Sequence, residues 1–201
     1  MDSVMKLLFV NACIRGDKSR TLRLCKKYID EFIEKNNEQQ WEIEEINLDK
    51  EDIKPIDSEI LAERDALLAK KEFDNPMFKW ANQIIEADYI VIGAPYWEFT
   101  FPAKLRIYIE RCSVTGLTYV YGEDGIPKGK AKAKELAYIT TSGGKIGSFN
   151  CGYDFIKAIC MLFGIEKTSF FSAECLDIIG NDVEQILTEA ESKISQTISK
   201  S

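Results

Sequence analysis

The sequence has 201 residues, of which 45% are hydrophobic and 29% are charged. These values are typical of a soluble globular protein, and the length fits one domain of ordinary to large size over residues 1–201. The 26 basic and 33 acidic residues give a net charge of -7. This acidity argues against broad contact with nucleic acid or an anionic membrane.

The chain contains six cysteines and no histidine. Without histidine, Cys/His zinc sites, Ser-His-Asp triads and Cys-His dyads are excluded. The cysteines form no C-x-x-C pair, so we expect buried thiols in a reducing cytosol and no metal site. No N-terminal targeting pattern is evident, and no apolar run approaches the ~18 residues of a membrane span. A cytoplasmic protein is therefore expected.

Short apolar runs alternate with segments of helical periodicity along the chain. Residues 5–10 predict a buried strand, and residues 19–35 predict a helix with one apolar face. Residues 41–46 carry three carboxylates, which favours an edge strand. Residues 58–71 are either a charged helix or a solvated connection. The remaining predicted elements are strands at 89–94, 136–140 and 168–173, helices beginning at Pro76 and Pro102, a hairpin or loop at 116–129, and helices at 153–163 and 183–198.

This alternation predicts an α/β fold with a parallel sheet and helices on both faces, joined by right-handed crossovers. An acidic second strand at the edge fits a five-stranded, three-layer sandwich of order 2-1-3-4-5. The helix at 153–163 is apolar on nearly every side. We therefore expect more than its own sheet to cover it.

The most informative segment is residues 87–99, where an apolar strand runs into a proline followed by Tyr96, Trp97, Glu98 and Phe99. In an open α/β sheet, ligands bind at the carboxyl ends of the strands. Flat rings in such a loop can sandwich a flat cofactor. The alternative is that these rings are ordinary core or interface aromatics.

A second loop, residues 11–21, joins the first strand to its helix. The hydroxyls of Ser19 and Thr21, together with free N–H groups at the helix start, form a good site for a phosphate, and Arg20 can offset its charge. Ser19 is alternatively a simple helix cap. The loop lacks both the G-x-x-x-x-G-K-[ST] and the G-x-G-x-x-G patterns, so a monophosphate is favoured.

The third loop contains Thr141, Ser142, Gly143 and Gly144. Paired glycines let the backbone approach a flat ring closely, although a plain turn is the alternative. In the predicted strand order, the carboxyl ends of the first, third and fourth strands cluster at one point. The three loops are therefore expected to surround one site.

These loops, together with residues 116–121, resemble the FMN-dependent NAD(P)H:quinone oxidoreductase and azoreductase family, which has a flavodoxin-like fold. The similarity covers nearly the whole chain, and its most specific part is residues 95–99 followed by Pro102. The resemblance implies tightly bound FMN, NADH or NADPH as co-substrate, and a homodimer with a flavin site at each of two interface positions. The partner subunit would then cover the apolar helix at 153–163.

The resemblance also assigns roles by position: the first loop holds the phosphate, and the other two contact the flavin ring. The implied cofactor-binding residues are Cys13, Ser19, Arg20, Thr21, Tyr96, Trp97, Glu98, Phe99, Thr141, Ser142, Gly143 and Gly144, and the implied substrate-pocket residues are Tyr119 and Tyr121. Because the cofactor carries the hard chemistry and protons can come from water, we name no catalytic acid or base.

Several positions depart from the usual family pattern. Cys13 stands where a serine is common, Glu98 where an asparagine is common, and Ser142 where an arginine often precedes the two glycines. A histidine that is frequent beyond these glycines is absent. If the Glu98 carboxylate faces the flavin, it should lower the reduction potential; if it points to solvent, only its backbone matters.

The leading functional hypothesis is a two-electron, ping-pong oxidoreductase. It would transfer a hydride from NADH or NADPH to the flavin and then reduce quinones, azo compounds or similar flat acceptors. One alternative is a flavodoxin-like FMN electron carrier without NAD(P)H turnover. Another is a flavin-binding regulatory protein that has lost turnover. The sequence leaves the preferred nicotinamide and the physiological acceptor open.

Overall fold

A five-stranded parallel sheet forms the centre of the computed structural model, which describes residues 4–200. The strands in chain order are β1 (Met5–Asn11), β2 (Trp41–Asn47), β3 (Tyr89–Gly93), β4 (Tyr119–Tyr121), β5 (Pro127–Gly129), β6 (Glu135–Thr141) and β7 (Lys167–Ala173). The sheet has the order β2-β1-β3-β6-β7, and β4 and β5 form a separate antiparallel pair. When this hairpin is left out of the count, the order is the predicted 2-1-3-4-5.

The observed strands of the sheet differ from the predicted ones by at most one residue at either end. Apolar runs of this kind are typical of strands that are covered on both faces. The segment at 116–129 forms a hairpin rather than an irregular loop. The acidic strand β2 lies at the sheet edge, as predicted, and pairs only with β1 among the described strands.

The helices occupy the intervals between the strands. They are α1 (Arg20–Lys35), α2 (Ser58–Lys70), α3 (Lys79–Glu86), α4 (Ala103–Cys112), α5 (Cys151–Phe163) and α6 (Val183–Lys200). The uncertain segment at 58–71 is thus a helix, and it is also largely solvated, because α2 buries Leu67 and exposes most of its other residues. At Pro76 the chain forms a 3-10 turn before α3 begins at Lys79.

Helices cover both faces of the sheet. On one face, α1 and α6 pack against Leu7 and Phe9 of β1 and against Val91 of β3. On the other face, α3, α4 and α5 pack against Leu8 and Val10 of the same β1 strand. Successive side chains of a strand point to opposite faces, so each strand of the centre contributes to two apolar cores.

The hairpin formed by β4 and β5 is fixed against the end of α5. A Cβ atom at Gly129 would lie 1.8 Å from the carbonyl carbon of Phe163, so only glycine fits there. Next to it, the N–H of Ala131 donates to the carbonyl oxygen of Phe163 at 3.0 Å. This backbone-to-backbone contact sets the position of the hairpin.

Within residues 4–200, no helix is both long and apolar enough to cross a membrane. The cytoplasmic location expected from the sequence stays a prediction.

Candidate functional site

The three predicted loops meet at the carboxyl edge of β1, β3 and β6, where they enclose a cavity of about 140 Å³. Eight of the predicted cofactor-binding residues line this cavity, namely Ser19, Arg20, Thr21, Tyr96, Trp97, Thr141, Ser142 and Gly143. The cavity is also lined by residues that were not predicted to bind the cofactor, namely Ile14, Arg15, Lys18, Pro95, Leu176 and Asp177. The sheet topology therefore brings most of the predicted site together.

The first loop brings the N-terminus of α1 to the cavity. Its path begins at Asn11, whose side-chain oxygen accepts a hydrogen bond from the N–H of Cys13 at 2.9 Å. The chain then turns at Gly16, which has a φ of 53° and therefore suits glycine. Ser19 caps α1, because its hydroxyl accepts from the N–H of Leu22 at 3.2 Å. Ser19 is thus both a helix cap and a residue of the cavity wall.

Positive charge dominates this end of the cavity. The side chains of Arg15, Lys18 and Arg20 belong to its wall, and the first N–H groups of α1 lack intrahelical partners, as at any helix start. Arg20 donates from Nη1 to Oδ1 of Asp177 at 2.7 Å. Asp177 is the only acidic residue among the described residues that line the cavity. An anion is therefore the ligand that this wall favours.

The second loop contains a tight turn at Trp97–Thr100. Trp97 and Thr100 exchange backbone hydrogen bonds of 3.1 and 2.7 Å, and the two central residues, Glu98 and Phe99, have φ values of 49° and 66°. Positive φ at both central positions defines a type I′ turn, which prefers asparagine and glycine. Glu98 is exposed and does not line the cavity.

The aromatic residues of this loop are not core residues of the single chain. Trp97 is 41% exposed and Phe99 is 59% exposed. Tyr96 is anchored at both ends, because its N–H donates to the oxygen of Thr141 at 2.9 Å and its hydroxyl donates to the oxygen of Phe149 at 2.5 Å. Burial raises the pKa of Tyr96 above its ordinary value. Exposed, anchored rings are typical of a binding surface.

The third loop pairs with the segment that follows β7. The N–H groups of Leu176 and Asp177 donate to the oxygens of Ser142 and Gly143 at 3.1 and 2.9 Å. A Cβ atom at Gly143 would lie 2.4 Å from Oδ2 of Asp177, so the glycine lets the Asp177 carboxylate pack closely on this loop. The loop is therefore more than a plain turn, since it positions Asp177 in the cavity wall.

A buried hydrogen bond connects the first and third loops directly. The hydroxyls of Thr21 and Thr141 lie 2.6 Å apart, and both residues are buried. Because α1 and β6 hold these two residues, the width of the cavity is set by regular structure rather than by mobile loops.

Several predicted residues lie outside the cavity lining. Glu98, Phe99 and Gly144 belong to the rims of their loops, and Tyr119 and Tyr121 lie in β4 with their rings 5.6 Å apart. Contacts of these residues with a cofactor or substrate stay predictions.

Cys13 is buried beneath the first loop and does not line the cavity. Its sulfur lies 3.6 Å from the carbonyl oxygen of Gly93, at the end of β3. Hydrogen bonding to the neighbouring Cys25 lowers the pKa of Cys13, while burial raises the pKa of Cys25. Cys13 thus supports the loop from below, and a direct contact with a cofactor stays a prediction.

Comparison with known proteins agrees with this architecture. A family model described as "flavodoxin-like fold" matches residues 5–198. An FMN-dependent NADH:quinone oxidoreductase of Clostridium beijerinckii is 34% identical, with 96% of this chain and 97% of that protein covered. The chain belongs to the flavodoxin-like family of FMN-dependent NADH:quinone oxidoreductases. A second relative with the same description, from Coprothermobacter proteolyticus, is 32% identical, with 95% of this chain and 96% of that protein covered. The family resemblance inferred from the loops is confirmed.

Solved flavodoxin-like structures show the same fold. The azoreductase from Bacillus anthracis strain Sterne superimposes with a TM-score of 0.83 at 22% identity, covering 98% of this chain and 100% of that one. An FMN-dependent NADH-azoreductase from Bacillus anthracis strain Ames Ancestor, solved in complex with FMN, gives a TM-score of 0.82 at 22% identity, covering 98% and 99%. At this level of identity, the likeness establishes the fold.

The turn at Trp97–Thr100 generates a prediction for Glu98. Replacing Glu98 with Asn should raise the free energy of unfolding by about 0.5–1 kcal/mol, because Asn tolerates positive φ better than Glu. Urea denaturation measures this change. The matched control is Glu98→Gln, which removes the same charge but keeps the unfavourable side-chain type, and it should leave stability unchanged. Equal stability of the Asn and Gln variants would show that backbone strain at residue 98 is negligible.

Proposed function

We propose that this flavodoxin-like protein is an FMN-dependent NADH:quinone oxidoreductase that also accepts azo compounds and similar flat acceptors by a ping-pong mechanism. The observation that carries the proposal is one cavity with a cationic end at the start of α1 and aromatic residues, Tyr96 and Trp97, in its wall. The relatives named above, described as FMN-dependent NADH:quinone oxidoreductases, support the choice of cofactor and co-substrate.

The donor set of the first loop fits a phosphate monoester. Ser19 and Thr21 supply hydroxyl groups, the start of α1 supplies N–H groups, and Arg15 and Lys18 add positive charge. The cavity of about 140 Å³ is smaller than the roughly 300–1,000 Å³ of sites that enclose whole drug-sized ligands. It therefore suits the phosphate end of FMN, with the ring system lying over the exposed rim.

The remaining residues would position the ring. When bound, FMN accepts a hydride and passes two electrons to an acceptor. In the type I′ turn, the N–H groups of Glu98 and Phe99 lie outside the hydrogen-bonded pair and can donate to polar ring atoms. The anchored Tyr96 and the exposed Trp97 provide flat contact surface. No side chain needs to act as a proton donor, because water has access to this rim.

The proposal predicts that the purified protein is yellow, contains FMN and turns over NADH repeatedly when a quinone or azo dye is present to reoxidise the flavin. Initial rates measured over a grid of NADH and quinone concentrations should give parallel double-reciprocal lines, as a ping-pong mechanism requires. Stopped-flow mixing with NADH alone should bleach the flavin absorbance. A protein whose flavin stays oxidised after this mixing would be an electron carrier instead, and a protein that gains no flavin on titration would exclude both functions.

The charge at the start of α1 predicts selectivity for the phosphate group. Replacing Arg20 with Gln should weaken FMN binding by about tenfold, because it removes a charge-assisted hydrogen bond, and should leave riboflavin binding unchanged. Quenching of flavin fluorescence measures both dissociation constants.

The matched control for this prediction is Arg23→Gln. Arg23 lies one turn further along α1 and pairs with Glu184 and Glu191 instead of lining the cavity. A similar loss of FMN affinity in both variants would indicate a long-range charge effect rather than a phosphate contact.

We further propose a homodimer in which a second subunit covers α5. Met161 of α5 is 70% exposed, and Phe149, just before α5, is 64% exposed. Such large apolar side chains favour a protein interface. The ring of Phe149 also contacts that of Phe99 in the second loop, with their centroids 5.9 Å apart, so this interface would lie beside the proposed flavin site.

Light scattering on the purified protein should therefore give the mass of a dimer. The variant Met161→Glu should shift the mass toward the monomer, because it places a charge in an apolar interface. The exposed Lys145→Glu change lies outside α5 and serves as the control. A wild-type protein that is monomeric at micromolar concentration would contradict the proposal.

A further inference from the structure

The ion pair between Arg20 and Asp177 lies in the wall of the cavity itself. Arg20 Nη1 and Asp177 Oδ1 are 2.7 Å apart, and the same nitrogen lies 3.4 Å from the carbonyl oxygen of Leu176. An arginine grips a phosphate best when two N–H groups of its fork bind in parallel. In this structure, Nη1 of Arg20 already donates to the Asp177 carboxylate and to the Leu176 carbonyl oxygen.

Asp177 is held in this place by the backbone around it. Cys175, Leu176 and Asp177 donate in turn to the carbonyl oxygens of Gly144, Ser142 and Gly143, at 3.1, 3.1 and 2.9 Å. The Asp177 carboxylate also packs directly on Gly143, where a Cβ atom would force this side chain to shift. The backbone of residues 175–177 is thus fixed in the wall, and it places the Asp177 side chain beside Arg20.

The position of Asp177 affects the charge that the cavity wall presents to a ligand. The positive charges of Arg15, Lys18 and Arg20 favour a bound anion. The carboxylate of Asp177 repels an anion, and it also forms an ion pair with Arg20 at the start of α1. The side chains of Arg20 and Asp177 are 36% and 69% exposed, so water and salt screen the pair. The effect on a bound anion should therefore be measurable but moderate.

We propose that Asp177 competes with the phosphate of FMN for Arg20 and so limits the affinity for the cofactor. This inference rests on the proposed function, in which FMN binds with its phosphate at the start of α1. It assigns to Asp177 a role in specificity: the residue sets how tightly a phosphorylated flavin is held, and it leaves the affinity for an unphosphorylated flavin unaffected.

The test compares dissociation constants of FMN and riboflavin for the full-length protein after removal of bound flavin by dialysis. The variant Asp177→Asn keeps an oxygen acceptor of the same size but removes the charge. It should bind FMN about threefold to tenfold more tightly than the wild type, with riboflavin binding unchanged.

A matched control is available in the neighbouring ion pair. Glu184 and Arg23 are also 2.7 Å apart, and their side chains are 69% and 37% exposed, but neither residue lines the cavity. The variant Glu184→Gln removes one negative charge from an ion pair of the same length and similar exposure, in which Arg23 also binds Glu191. It should leave both dissociation constants unchanged.

A double variant separates competition for Arg20 from simple repulsion of the phosphate. In an Arg20→Gln background, Asp177→Asn should no longer tighten FMN binding. Persistence of the effect in that background would overturn the proposal, as would unchanged or weaker FMN binding by Asp177→Asn alone, or equal tightening of riboflavin. A wild-type protein that binds no FMN would instead overturn the proposed function itself.

Discussion

Parallel pairing of β1, β3 and β6 determines where the three loops of the candidate site lie. Asn11 of β1 pairs with Gly93 of β3, and Gly93 pairs with Ile139 of β6, so all three strands end at the same edge. The loops that follow these strands therefore lie side by side at this edge. The buried Thr21–Thr141 hydrogen bond then fixes the first loop to the third across β3. The shape of the cavity thus follows from the backbone register of the sheet.

Much of this arrangement could be predicted because apolar periodicity reports burial directly. The central strands β1 and β3 are apolar runs with helices on both faces, and the bounds of all five sheet strands differ by no more than one residue from the predicted ones. The place of Asp177 could not be predicted in this way. Its partner Arg20 is 157 positions away, and no motif surrounds it. The segment after β7 begins at the same sheet edge. This position was the one indication that Asp177 lies near the cavity.

The backbone conformation of Glu98 also could not be predicted from the sequence. Glutamate rarely adopts positive φ, and nothing in its neighbours specifies a type I′ turn. The turn exists because tertiary contacts impose it: the N–H of Gly152 donates to the oxygen of Phe99 at 3.3 Å, and the ring of Phe149 packs on that of Phe99. The side chain of Glu98 is exposed outside the cavity wall, so what the residue contributes to that wall is backbone geometry.

The cavity wall extends in sequence from Ile14 to Asp177, and this span has a consequence for biosynthesis. Synthesis proceeds from the N-terminus, so the first loop leaves the ribosome long before the segment after β7 that completes the wall. A nascent chain that ends before Asp177 lacks part of this wall. A ligand that contacts the whole wall therefore stabilises the folded state only once synthesis has passed this residue. Cofactor loading would thus report on the completion of folding.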